Sequence, residues 1–152
     1  MTKLNVDLLL KVKQHILLEP ARLRMDTWVF QSMPGEERYT SLPAYGEPEA
    51  YTMPKCGTIG CIAGWACMLG APNEPHIATL ACGHNASELL KIDPDIQPWD
   101  LYFPDQWPVN FYEAYKAAID AEGRAEIVAD VIDQFISDYQ AAEENWNANP
   151  SR

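Results

Sequence analysis

From Thr58 to Gly70 the chain reads TIGCIAGWACMLG, without one charged side chain. A helix with no polar side must be covered nearly all round, so the rest of the chain has to wrap it. Thr58 is placed to cap such a helix running from Ile59 to Leu69, and Gly70 followed by Pro72 to stop it. Gly60 and Gly64 lie four residues apart with Ala63 beside them, leaving a flat strip where another backbone can approach closely. Each interior glycine costs on the order of 1 kcal/mol relative to alanine, so close packing must return that stability.

The wrapping is legible as further helices. Residues 3 to 18 place Leu4, Leu8, Leu9, Val12, His15 and Ile16 on one side at helical period. Ala21 to Phe30 holds good helix formers, before Met33-Pro34-Gly35 breaks the pattern. Gln31 to Lys55 contains four prolines, two glycines and no sustained period, with room for a small β element between Arg38 and Met53. Asn85-Ala86-Ser87-Glu88 has the pattern of a capping box before Leu89-Leu90, predicting a helix from Ala86 to Ile92. Pro98 opens one or two helical turns to Phe103, and Pro108 opens a helix through Ile119. From Glu122 to Tyr139, Val128, Val131, Ile132, Phe135 and Tyr139 share one face, while Glu122, Glu126, Asp130 and Asp133 form a stripe opposite. The expected fold is therefore mainly α: one domain over residues 1–140, five to seven helices around the buried Gly/Ala/Cys-rich helix. A flexible tail is expected over 141–152.

A chain of 152 residues with five Trp, seven Tyr and four Phe can bury a core of that kind without disulfides or a structural metal. The charge is unevenly placed. Residues 1–55 carry seven basic and seven acidic side chains, whereas residues 56–152 carry four and 15, for a net charge of -11 overall. Such a field repels nucleic acid and anionic membranes, and favours a basic protein surface or simply solubility. No apolar run is long enough to span a bilayer, and Asp7, Lys11 and Lys13 interrupt the one apolar cluster near the N-terminus. A cytoplasmic protein is expected, with Cys56, Cys61, Cys67 and Cys82 reduced.

The words His15-Ile16, Pro20, Met25 and Trp28, then Cys56-Gly57-Thr58 and Cys61-Ile62-Ala63-Gly64-Trp65-Ala66, and later Leu89-Leu90 and Trp107-Pro108 carry a resemblance. Over Val12 to Ile136 the chain resembles a family of small bacterial and phage-associated proteins with a CGT-x-x-CIAGWA motif. That resemblance implies no activity and assigns no role to any residue.

Three chemistries are open to these residues. Cys56, Cys61 and Cys67 read first as small buried core residues, yet Cys56 and Cys61 also bracket an expected helix N-terminus, where the dipole and free N–H groups lower a thiol pKa. A thiol-dependent enzyme would pair one of them with a histidine, His15 above all, in a pocket floored by Gly60 and Gly64 and walled by Trp28 and Trp65. His84, just before the expected helix cap, can face a ligand. Trp65 follows Cys61 by four residues, unlike papain-like enzymes, where Trp directly follows the nucleophile. A metal site is not expected, because the cysteine spacings of five, six and fifteen match no zinc pattern and no second carboxylate helix faces the acidic stripe. Nor is an organic cofactor, since phosphate-binding and dinucleotide glycine patterns are absent. The favoured function is a non-enzymatic binding or regulatory module whose acidic second half meets a basic protein. The alternatives are the thiol enzyme and an acidic, DNA-mimicking phage protein.

Overall fold

The computed structural model describes residues 1–25, 29–33, 36–38, 58–74 and 82–148. Within them the order is α1 (Val6–Leu18), β1 (Val29–Met33), β2 (Glu36–Arg38), β3 (Thr58–Gly60), α2 (Ile62–Gly70), α3 (Cys82–Leu90), α4 (Trp99–Tyr102), α5 (Val109–Ala117) and α6 (Ala121–Ala148). Two 3₁₀ turns, Pro20–Arg22 and Pro104–Gln106, lie between them. The chain is mainly α, with one hydrophobic core shared by α1, α2, α3, α4 and α6.

Asn5 starts α1. Its side-chain oxygen accepts from the Leu8 N–H at 3.2 Å, satisfying an amide that has no partner inside the helix. The same residue donates from Nδ2 to the Leu89 carbonyl at 3.0 Å and from its backbone N–H to the Leu90 carbonyl at 2.7 Å, tying the beginning of α1 to the end of α3. Leu8, Leu9, Val12 and Ile16 then bury one face, and Pro20 ends the helix by opening the first 3₁₀ turn. Each of these aliphatic side chains contributes on the order of 1.5–3 kcal/mol when fully covered.

At the centre, α2 buries Ile62, Ala63, Gly64, Trp65, Ala66 and Cys67, nearly its whole circumference. Its start differs from expectation. Thr58 does not cap it: Thr58–Gly60 is a strand, paired antiparallel with β1 so that Gln31 faces Thr58 and Val29 faces Gly60. The backbone groups a cap would have used are spent on that ladder, and Cys61 becomes the cap instead. Gly60 is approached from a second side as well, by a parallel bridge to Leu23 and a 3.0 Å bond from the Arg24 N–H to its carbonyl. Two backbones meeting at Gly60 is the close approach its missing side chain permits.

The segment after Pro20 is also not the expected helix. It makes the 3₁₀ turn, bridges to Gly60, and reappears as β1, the middle strand of an antiparallel sheet ordered β2-β1-β3. The small β element expected between Arg38 and Met53 falls on a stretch that, Arg38 apart, lies outside the described residues.

The third helix begins at Cys82, not Ala86, so the capping-box residues sit inside it. Ser87 Oγ bonds back to the Gly83 carbonyl at 2.8 Å and lies 3.2 Å from the Tyr102 hydroxyl. The helix closes with Lys91 in the left-handed region at φ 56°. There the Ile92 N–H reaches the Ser87 carbonyl at 2.9 Å and the Lys91 N–H the Glu88 carbonyl at 3.1 Å, a Schellman ending.

Pro98 and Pro108 stand just ahead of α4 and α5, as the prolines predict, but α5 stops at Ala117. α6 carries its apolar face against α1 and α5. Glu122, Glu126, Asp130 and Asp133 are exposed, and Asp133 pairs with Lys13 across the α1–α6 contact. The boundary expected at residue 140 falls within α6, which continues to Ala148. Among the described residues no helix is long and apolar enough to cross a membrane.

Candidate functional site

Cys61 sits at the N-terminus of α2 and faces inward, as a small core residue does. Its Sγ accepts from the Gly64 N–H at 3.5 Å, and the residue is 1% exposed. Burial outweighs the helix N–H groups and pushes the thiol up to about 12, leaving it protonated at neutral pH. Cys67 and Cys82 are buried as well, with Cys67 Sγ 3.6 Å from the Cys82 carbonyl, and neither they nor Cys61 form a disulfide. The hydrogen bond with Cys67 and burial together push the Cys82 thiol up.

His15 and Trp65 come together: their ring centroids are 4.1 Å apart at 53°. Arg22 covers the other ring system, its guanidinium carbon 5.0 Å from the Trp65 centroid. His15 Nε2 and Trp65 Nε1 are buried without a hydrogen-bond partner among the described residues. Burial lowers the His15 pKa, Glu19 raising it in part and Arg22 lowering it further. Gly60 and Gly64 are buried beside this stack, Gly60 in the β ladder and Gly64 under the Cys61 sulfur. His84 is far more open, its side chain 71% exposed and its Nε2 3.4 Å from Glu88 one turn on. Cys56 and Trp28 lie outside the described residues. Among the described residues no three His, Cys, Asp or Glu side chains converge as metal ligands.

A concavity lies elsewhere, in a place the sequence did not point to. A groove of about 480 Å³ runs between the loop before α4, the Trp107-Pro108 junction, α5 and α6. Its walls are Ile96, Trp107, Phe111, Phe135 and Tyr139. Gln97, Gln106 and Gln134 supply amides, and Asp100 and Asp138 supply exposed carboxylates. Among the described residues no lysine, arginine or histidine lines it.

The geometry follows from two local facts. On α6, Val131, Gln134, Phe135, Asp138, Tyr139 and Ala142 share one face at spacings of three and four, so one stripe supplies a whole wall. Opposite, prolines at 98, 104 and 108 break the chain into short pieces that cannot lie flat along α6. Tyr139 anchors this wall through its hydroxyl, which accepts from the Asp93 N–H at 2.9 Å and donates to the Thr2 carbonyl at 2.8 Å. Gln134 holds Asp138 through a 2.8 Å bond from Nε2 to Oδ1. Trp107 stands edge-on to Tyr115 with centroids 5.4 Å apart, its indole N–H unpartnered among the described residues.

Sequence periodicity put Phe135 and Tyr139 on one apolar face of the last helix. Phe135 is only partly buried, and the side it leaves open is groove wall. Aromatic rings next to carboxylates with no competing cation suit a ligand that is both apolar and positively charged. No family model matches the chain, no curated protein is similar to it in sequence, and no solved structure matches it.

Proposed function

We propose that this chain is a non-enzymatic binding module whose acidic, helical second half meets a basic protein partner. One observation carries this. Residues 93–148, from the loop before α4 to the end of α6, hold 13 acidic and two basic side chains, a balance of -11, while the rest of the chain has nine of each sign. Both of the basic groups are engaged locally: Lys116 lies 3.3 Å from Glu113, and Arg124 Nε bonds the Ala118 carbonyl at 3.3 Å. The groove opens in this acidic half with Asp100 and Asp138 in its lining. Such a field speeds encounter with a cation and selects against anions.

The test is binding of purified basic proteins or peptides to the intact chain at about 50 mM and about 500 mM salt, since screening shortens the reach of exposed charges from roughly 14 to 4 Å over that range. Binding at low salt that weakens steeply at high salt is the expected result. Failure of every basic partner to bind at low salt removes the proposal.

A further inference from the structure

We propose that the groove between α4, α5 and α6 docks an amphipathic, cationic helix, which seats a large apolar side chain between Phe111 and Phe135 and sets a lysine or arginine against Asp100 and Asp138. This rests on the basic-partner reading and adds the place, the shape and the chemistry of what binds.

Three features select a helix. The apolar seam of α6 does not end with the groove: Val131, Phe135, Tyr139 and Ala142 are followed at the same spacing by Trp146, which is half exposed. Val131 and Tyr139 on this seam are buried, and its open part, from Phe135 to Trp146, runs about 16 Å at 1.5 Å per residue, the length of a three-turn helix. Trp99 and Val109, 44% and 75% exposed, adjoin the lining residues Asp100 and Pro108 in the chain. A partly open ring at Phe135 and a half-exposed one at Trp146 beside a concavity suit a helix-in-groove contact, in which one or two anchors carry most of the affinity.

Charge selects the sign of the occupant. Asp100 and Asp138 line the groove, no cation is among its described lining residues, and Glu143 and Glu144 follow on α6. A second copy of this chain would bring another acidic half against the first, so self-association through this face is opposed. A neutral apolar helix would leave the carboxylates partly desolvated without a counter-charge.

The experiment titrates the full chain with a synthetic Leu/Lys amphipathic helix of about 15 residues, long enough to cover the open part of the seam. A Lys/Ser peptide of equal charge and a Leu/Ser peptide of equal apolar content serve as controls. Binding is read by calorimetry and by the indole N–H resonances of Trp107 and Trp146. The expected result is one Leu/Lys peptide per chain, shifts at both indoles, and binding at least ~10-fold tighter than either control, or about 1.4 kcal/mol. Asp100→Lys with Asp138→Lys should weaken it by at least ~10-fold, while Glu126→Lys with Asp130→Lys, which changes net charge equally outside the groove, should stay within ~2-fold. If the two double variants weaken binding equally, or if Lys/Ser binds as well as Leu/Lys, the groove is not the site, although the basic-partner reading survives. Leu/Ser binding as tightly as Leu/Lys overturns the assigned charge. If no cationic peptide binds at about 50 mM salt, both proposals fall.

Discussion

Replacing Tyr139 by Phe should loosen one end of the domain by a predictable amount. The Tyr139 hydroxyl on α6 accepts from the Asp93 N–H at 2.9 Å and donates to the Thr2 carbonyl at 2.8 Å, so one oxygen joins the N-terminus, the loop after α3 and the last helix. A third carbonyl, of Lys91, lies at 3.4 Å but must share the single proton. Phe keeps the ring, which is 2% exposed, so no large cavity opens and the loss is confined to two hydrogen bonds. At roughly 1 kcal/mol net for each, reduced because water can reach Thr2, the cost is about 1–2 kcal/mol. With an unfolding entropy of about 2.1 cal/mol/K per residue, that lowers Tm by about 3–6 °C. Urea and thermal unfolding followed by circular dichroism measure it, and the urea m-value should not change. Burial also raises the Tyr139 pKa. The unfolded chain therefore ionises first, near pH 10, and the native chain retains its proton. This contribution is complete below that pH and is lost as pH rises, so wild type and variant should converge in alkali. A loss under about 0.5 kcal/mol, with the Asp93 amide exchanging no faster, would show that the hydroxyl does not join these segments.

Four further outcomes are expected. Iodoacetamide at pH 8 should leave Cys61, Cys67 and Cys82 unlabelled in the native protein and label all three once it is unfolded; peptide mapping that finds Cys61 modified at the unfolded rate would return it to the list of nucleophiles. Lys91→Gly should raise stability by about 0.5–1 kcal/mol, because φ 56° strains a residue with a side chain, and an unchanged Tm counts against that strain. Gly70→Val should cost about 1–3 kcal/mol, since a Cβ there would stand 2.9 Å from Leu8 Cδ2 and 3.2 Å from Leu89 Cδ1; a stable variant would mean that α1 and α3 yield easily. Finally, the lowered native pKa of His15 means that the unfolded chain takes up its proton first as pH falls below about 6.5, so stability should decline from there down to the native pKa; His15→Phe should flatten that slope, and an identical slope would exclude His15 as its source.

Lowering the charge of the groove and unpinning Tyr139 act on neighbouring parts of one wall, since Tyr139 and Asp138 are adjacent on α6. If the groove is a docking surface, its rigidity matters as much as its charge, because a mobile wall must be ordered at the expense of affinity. Tyr139→Phe should thus also weaken binding of the Leu/Lys peptide modestly while keeping its salt dependence.

Periodicity and composition were enough to read much of this molecule. The run from Ile62 to Cys67 could only be a core helix, Leu8, Leu9, Val12 and Ile16 could only be one buried face, and Pro98 and Pro108 announced α4 and α5, because each signal is contained within a turn or two of chain. The acid excess of residues 93–148 is equally plain from the sequence. Where a remote partner competes for the same backbone, local signals gave way. Thr58 pairs with Gln31 in place of capping a helix, the helix-forming segment after Pro20 is drawn into a bridge at Gly60, and Cys82 joins α3 ahead of the Asn85 capping pattern. The inward turn of Cys61, which makes it a protonated core thiol, and the meeting of His15 with Trp65 depend on how α1 crosses α2. The groove depends on three elements at once. Phe135 looks like core in any helical projection, and only the angle at which short, proline-bounded pieces meet α6 leaves part of it open to a partner. Local pattern decides which face of a helix is apolar; what that face covers, and what it leaves uncovered, is decided by packing between segments far apart in sequence.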